Sequence, residues 1–177
     1  MTDGTRPVHT PATHRSAQGP PMGGEASYVT FRTAGETYAV PTESVRGVIP
    51  WVPVTRVPDA APSVKGVINL RGEIVSVLDV RSRFGLPTVD PTDRTCIVVV
   101  NAEHAGNRLQ VGLIVDTALD VTRLPHAELR LRSEGDPALA GEYVTGVAST
   151  KAGLLMVLDV DRLVPDGGDP QRLRRET

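Results

Sequence analysis

The stretch Gly66-Val67-Ile68-Asn69-Leu70-Arg71-Gly72-Glu73-Ile74-Val75-Ser76-Val77-Leu78-Asp79-Val80 constrains this chain more than any other. Two apolar runs rich in β-branched residues meet at an Arg-Gly pair, which is the pattern of a β-hairpin. The pattern then returns. Adding 80 to each number carries Val64, Gly66, Val67, Val77, Leu78, Asp79 and Val80 onto Val144, Gly146, Val147, Val157, Leu158, Asp159 and Val160 without a gap. That spacing is too long for a solenoid repeat and fits two related subdomains of one small fold. A chain of 177 residues has room for one ordinary domain or for two halves sharing a core. Neither half, at roughly 65–70 residues, buries enough to stand alone, so an apolar seam between them is expected.

Composition points the same way. Aromatic residues are 3% of the chain, so Val, Leu and Ile must fill the interior, and the 17 Gly and 15 Pro imply many turns and few long helices. An all-β fold is expected. Tyr28-Val29-Thr30-Phe31-Arg32 alternates, Ala34-Gly35-Glu36 turns, and Thr37-Tyr38-Ala39-Val40 runs back. Pro41 opens a short helix that would carry Val45, Val48 and Ile49 on one face, weakened by Gly47. Pro50, Pro53 and Pro58 force an extended connection to the hairpin. Cys96-Ile97-Val98-Val99-Val100 reads as a buried strand, residues 101–107 as a turn, and Leu109-Gln110-Val111-Gly112-Leu113-Ile114-Val115 as its partner. Leu119 and Val121 continue a β pattern, residues 124–137 read as a loop, and the second hairpin at 143–160 leads to a last helical turn through Leu163. Nine or ten short strands with two equivalent hairpins fit two small barrels, whose closure removes exposed edges. Residues 1–26 and 165–177 are too poor in large apolar side chains to offset chain entropy and are expected to be disordered tails around a domain at 27–164.

The same residues exclude several kinds of chemistry. Formal net charge is −2, from 19 basic and 21 acidic residues, so no global field points to nucleic acid or a membrane surface. Single-stranded nucleic acid needs stacking aromatics beside a positive groove, and the aromatics here are few and scattered. Cys96 sits in an apolar run as a small buried hydrophobe, and one cysteine forms no disulfide within a chain, which fits a reducing compartment. The first 25 residues lack the apolar stretch of a signal peptide, and no run approaches membrane-spanning length, so a cytosolic protein is expected. His104 and His126 carry no motif and read as surface residues; His9 and His14 lack further ligands for a metal. No nucleophile lies beside an oriented base and no Gly-rich phosphate loop occurs, so neither an enzyme nor a cofactor is expected. Asp79 and Asp159, each following an apolar strand, are expected to cap the turns after them.

What remains is the polar pair on the first hairpin. Arg71 offers a planar fork of donors, and Asn69 both donates and accepts. Asn69 as a turn stabiliser with an exposed Arg71 is the plain structural account. The second hairpin holds Ser149 and Lys151 at these positions, so the strands are kept while the turn chemistry is relaxed. A role outside the fold is therefore expected for Asn69 and Arg71.

Gly66-Val67-Ile68-Asn69-Leu70-Arg71-Gly72, followed by Val77-Leu78-Asp79-Val80, resembles the hallmark of the CheW coupling-protein family of bacterial chemosensory systems. The likeness runs from Tyr28 to Val164 and takes in Phe31, Val45-Arg46, Val111-Gly112-Leu113-Ile114-Val115-Asp116, Gly146-Val147 and Leu158-Asp159. The resemblance implies two SH3-like five-stranded barrels packed on a common core, with short helices. It implies a non-enzymatic adaptor that links the cytoplasmic tip of methyl-accepting chemotaxis receptors to the CheW-like regulatory domain of the histidine kinase CheA. The protein would be cytoplasmic and recruited to membrane-associated arrays, without inserting into the membrane. The residues it implies for receptor or kinase binding are Val45, Gly66, Asn69, Arg71, Gly72, Gly112 and Val121. The chain departs from the family pattern at Gly47, where members commonly carry an acidic side chain. Two other readings stand beside this one: a CheW-like scaffold of a pathway with an output other than motility, and a small-barrel nucleic-acid-binding module.

Overall fold

The computed structural model describes residues 23–131 and 141–166. The first hairpin pairs β1 (Glu25–Thr33) with β2 (Glu36–Pro41), and its partners come from the far end of the chain. β2 runs parallel to β11 (Gly153–Leu158), which pairs with β10 (Val144–Thr150), while β8 (Thr117–Pro125) lies on the other side of β1. With β9 (Leu129–Leu131) these form a six-stranded sheet, β8-β1-β2-β11-β10-β9. The second sheet runs β3-β6-β7-β5-β4, from β3 (Val45–Pro50), β4 (Val64–Leu70), β5 (Glu73–Asp79), β6 (Cys96–His104) and β7 (Asn107–Val115). Each sheet curls around its own apolar interior, which gives the two SH3-like barrels.

The repeat read from the sequence is present in the ladders. Val64 pairs with Leu78 and Ile68 with Val75; Val144 pairs with Leu158 and Ala148 with Leu155, and both hairpins break register at the same step. Asp79 and Asp159 cap α1 (Val80–Arg83) and α2 (Val160–Leu163): Asp79 Oδ1 accepts from the Arg81 N–H at 2.8 Å, and Asp159 Oδ1 from the Asp161 N–H at 3.0 Å. The barrels are not an N-terminal half and a C-terminal half, however. The β1–β2 hairpin sits in the barrel of β10–β11, and β6–β7 sits in the barrel of β4–β5. Each repeat gives its first hairpin to the other. The exchanged hairpins turn alike, through Ala34-Gly35 and Ala105-Gly106, all four residues at positive φ.

Exchange places the largest core between the barrels. Phe31, Tyr38 and Val40 of one pack with Leu78, Val98, Val111 and Leu113 of the other, together with Leu158 and Leu163. The few aromatics are concentrated there: Phe31, Tyr38, Phe84 and Tyr143 follow one another at centroid separations of 6.1, 5.1 and 5.8 Å, and the Arg83 guanidinium lies 4.7 Å from the last ring. Barrel interiors are smaller, with Tyr28, Ala39, Leu124, Ala148, Leu155 and Val157 in one, and Ile68, Val75, Val77, Ile97 and Val99 in the other. Asp116, between β7 and β8, joins both barrels: it accepts two hydrogen bonds from Arg81 of α1, at 3.1 and 2.5 Å, and one from the Ala34 N–H at 2.9 Å.

Several expectations are corrected. The helix after Pro41 is a single 3-10 turn, Thr42–Ser44; Val45, Val48 and Ile49 lie in β3, because this β-branched run finds a pairing partner in β6 and Gly47 sits in a bulge of that ladder. The six-stranded sheet gains β9, which lies in a stretch read as loop; the matching place in the other barrel is a single bridge between Thr55 and Val67. β6 continues through residues read as turn to His104, whose imidazole is partly buried 3.3 Å from Asp166. His126 lies in a second 3-10 turn, His126–Glu128, and is also half-buried. β1 begins at Glu25, inside the stretch assigned to a tail, because Glu25 and Ala26 pair with Pro125 and Leu124. Pro165 and Asp166 are also described, with Pro165 buried. Gly23 and Gly24 are described as well, the Gly24 carbonyl accepting from the His126 N–H at 3.0 Å, and the remainder of both expected tails, 1–22 and 167–177, lies outside the described residues.

Candidate protein-interaction site

The β4–β5 turn is two residues long, with Leu70 paired to Glu73. Arg71 and Gly72 have φ of 53° and 85°, the positive pair that a type I′ turn requires. The Gly72 N–H donates to Asn69 Oδ1 at 2.9 Å, so the Asn69 carboxamide closes the turn. Arg71 projects from it, exposed, with no hydrogen bond or ion pair among the described residues. The turn of the second hairpin is built differently. Lys151 and Ala152 are not at positive φ, Gly153 is at 115°, and the Thr150 hydroxyl donates to the Gly153 carbonyl at 2.8 Å. Part of the contrast between Asn69 and Ser149 is therefore a contrast of turn types.

The seven residues singled out from the sequence do not form one constellation. Asn69, Arg71 and Gly72 share the turn, and Gly72 has open space where a Cβ would stand. Gly66 is buried at φ 146°, and its ideal Cβ would lie 2.0 Å from the Thr55 carbonyl oxygen. It lets the 51–56 segment cross β4, where Thr55 and Val67 exchange hydrogen bonds of 2.9 and 2.8 Å. Gly112 is buried in β7, where a Cβ would meet Ile97 Cγ2 at 2.7 Å. Both glycines serve packing, so a contact role can reach a partner only through the strands that they position. Val45 is half-buried at the start of β3 and packs on the central core; Val121 is 56% exposed on β8. These are outer strands of different sheets.

Two apolar side chains were missed. Ile74 follows the first turn and Leu154 the second, at matching positions, exposed by 36% and 62%. Singly exposed apolar side chains are ordinary on a protein surface; what sets these two apart is their matching place beside the turns of the repeated hairpins. The signal was in the repeat itself, since Ile74 maps onto Leu154. Among the described residues no three His, Cys, Asp or Glu side chains gather to hold a metal ion, and no helix is long and apolar enough to cross a membrane.

Residues 27–167 match the family model described as CheW-like domain. Chemotaxis protein CheW of Bacillus subtilis is 32% identical over 136 residues, covering 77% of this chain and 85% of that protein. Chemotaxis protein CheW of Klebsiella aerogenes is 31% identical over 137 residues, covering 77% and 80%. The crystal structure of the scaffolding protein TtCheW from Thermoanaerobacter tengcongensis superposes with a TM-score of 0.70 at 26% identity, covering 81% of this chain and 95% of that one. The turn, the doubled hairpin and the paired barrels lie within the matched residues, and the chain belongs to the CheW-like domain family.

Proposed function

We propose that this protein is a non-enzymatic adaptor of a chemosensory array, coupling the cytoplasmic tip of methyl-accepting chemoreceptors to the histidine kinase CheA through that kinase's CheW-like domain. Family membership supports the adaptor class, since relatives are named chemotaxis proteins and a solved neighbour a scaffolding protein. The observation that carries the finer reading is the β4–β5 turn: an exposed Arg71, without a partner among the described residues, on a fixed type I′ frame beside exposed Ile74. A guanidinium fork recognises carboxylates, and an adjacent apolar group supplies the buried contact around it. Val45 and Val121 belong to the same proposal as apolar contacts on the outer strands. The protein acts in the cytoplasm, recruited to membrane-associated arrays. Each contact is small, and many copies in an array convert weak contacts into stable assembly. The adaptor works by shifting a shared conformational equilibrium, with no chemistry of its own.

Co-sedimentation with a receptor cytoplasmic fragment and CheA, with kinase activity measured in parallel, tests this reading. The wild type brings kinase into the pellet and changes its activity; Arg71→Glu does so at least about tenfold more weakly, as expected for reversal of a contact charge. Normal recruitment and kinase control by Arg71→Glu would remove the turn from the interface. No recruitment by the wild type would remove the adaptor reading.

A further inference from the structure

A cleft of about 380 Å³ opens at the end of β4 away from the Arg71 turn. Its walls are the 51–56 segment and residues 88–91, and its apolar lining includes Trp51, Val54, Val89 and Ile114. Both walls are pinned. The Trp51 N–H donates to the Thr95 carbonyl at 3.2 Å, Thr55 is bridged to Val67, and the Thr92 N–H donates to Thr95 Oγ1 at 2.8 Å. A cleft of this size, formed before anything enters it, is the usual form of a binding site.

Three features make it more than a crease. Trp51 is the chain's single tryptophan, yet it is half-buried at the cleft and belongs to none of the core clusters. Its indole N–H has no partner among the described residues. Two cations in the lining, Arg56 and Lys65, make no hydrogen bond or ion pair among the described residues. The lining's formal charges balance, Arg56, Lys65 and Arg81 against Asp79, Asp90 and Asp116, but Arg81 is paired with Asp116 and Asp79 is buried beneath the α1 N-terminus, so the charges that a partner can reach are Arg56, Lys65 and Asp90. The third feature is the repeat. Lys65, Asp79 and Arg81 map onto Thr145, Asp159 and Asp161, which line the matching cleft of the other barrel beside Glu43 and Glu103. That cleft is acidic. The matching position of the other barrel holds a neutral Thr145, so the cation at Lys65 is not a requirement of the architecture.

We infer that the cleft of Trp51, Arg56 and Lys65 is a docking site for an acidic segment of a partner protein that carries an apolar side chain beside its carboxylates. The apolar side chain lies against Trp51, Val54 and Val89, and the carboxylates reach Arg56 and Lys65. Among the charges that a partner can reach, Arg56 and Lys65 outnumber Asp90 around an apolar floor, and this selects an acidic occupant.

Trp51 provides the measurement, being the sole tryptophan emitter. The full chain is titrated with a tryptophan-free ten-residue peptide of alternating Glu and Leu, its Lys-for-Glu counterpart, and inorganic phosphate. The expected result is a saturable change in Trp51 emission with the Glu peptide, at least about tenfold stronger than with the Lys peptide. Arg56→Glu with Lys65→Glu abolishes it at an unchanged thermal midpoint; Val89→Asp, on the other wall and 56% exposed, abolishes it independently. No response, equal response to both peptides, a response to phosphate alone, or binding that survives both variants overturns the inference. Receptor and kinase are absent from the assay, so its outcome is separate from that of the adaptor reading.

Discussion

Arg71 occupies a turn position where Gly, Asn or Asp is favoured, and an L side chain at φ 53° costs about 1 kcal/mol. Ala34 and Ala105 hold the same position in the other type I′ turns, so the strain by itself carries no functional meaning. It does separate fold from function. Arg71→Gly is expected to be as stable as the wild type, or up to about 1 kcal/mol more stable by thermal or urea unfolding, while losing kinase recruitment as Arg71→Glu does. A variant that is stabilised yet still recruits kinase would return Arg71 to a role in the turn alone. Gly47 offers the opposite experiment. The family resemblance implies an acidic side chain at this position, and nothing lies within 4 Å of where the Gly47 Cβ would be. Gly47→Glu is therefore expected to fold with a stability within about 0.5 kcal/mol of wild type. If an acidic side chain strengthens an array contact, this variant sediments with receptor and kinase more tightly than wild type; unchanged binding means that this chain's partners do not read the position. Asn69 marks the limit of reading residues alone. Its difference from Ser149 was plain in the sequence, but its bond to the Gly72 N–H belongs to a turn type that only the backbone reveals.

The two repeated hairpins share register and caps yet differ in how tightly a neighbouring chain crosses them. At Gly66 a Cβ would lie 2.0 Å from backbone, at φ 146°, whereas at Gly146 the nearest atoms are at 3.0 Å and φ is not positive. Gly66→Ala must push the Thr55 segment off β4 and is expected to cost about 3 kcal/mol or more. Gly146→Ala needs a shift of a few tenths of an ångström at Arg130 and Leu129 and is expected to cost about 1 kcal/mol. Urea denaturation of the two variants tests this, and equal costs would show that Thr55 yields freely. Elements with strong β patterns, from Tyr28 through the first hairpin to Cys96 and the second hairpin, were legible in the sequence, as were both Asp caps. β3 and β9 were not. Val45, Val48 and Ile49 satisfy helical spacing, and the ladder to β6 decides between periods only when the chain is folded. β9 is three residues long and exists because β10 presents an edge to it.

At the scale of the molecule, the repeat predicted two barrels on a shared seam, and the seam is where the largest core lies. The hairpin exchange stayed hidden because strand pairing across some 120 residues leaves no local mark, although Ala34-Gly35 and Ala105-Gly106 were its trace. Exchange makes each barrel depend on both repeats, so neither repeat is expected to fold alone. Asp116 stands at the crossing. Burial alone would raise its carboxyl pKa, but the hydrogen bonds from Arg81 and from the Ala34 N–H, with the Arg81 charge, hold it below the ordinary carboxylate value of 3.8. A carboxyl whose pKa is lower folded than unfolded adds stability above its unfolded pKa, and that stability is lost as pH falls through the folded value. At neutral pH the latch is thus fully engaged. With the Asp116 side chain 33% exposed, solvent screening keeps its contribution to about 1 kcal/mol. Asp116→Asn keeps the shape but removes the charge, and is expected to lower stability by about that amount at pH 7. The gap between variant and wild type should stay constant down to about pH 4 and close as Asp116 takes up its proton in wild type. Unfolding curves for both proteins between pH 7 and pH 2 measure it; a gap that persists undiminished at pH 2 would mean that the Asp116 charge does not hold the barrels together.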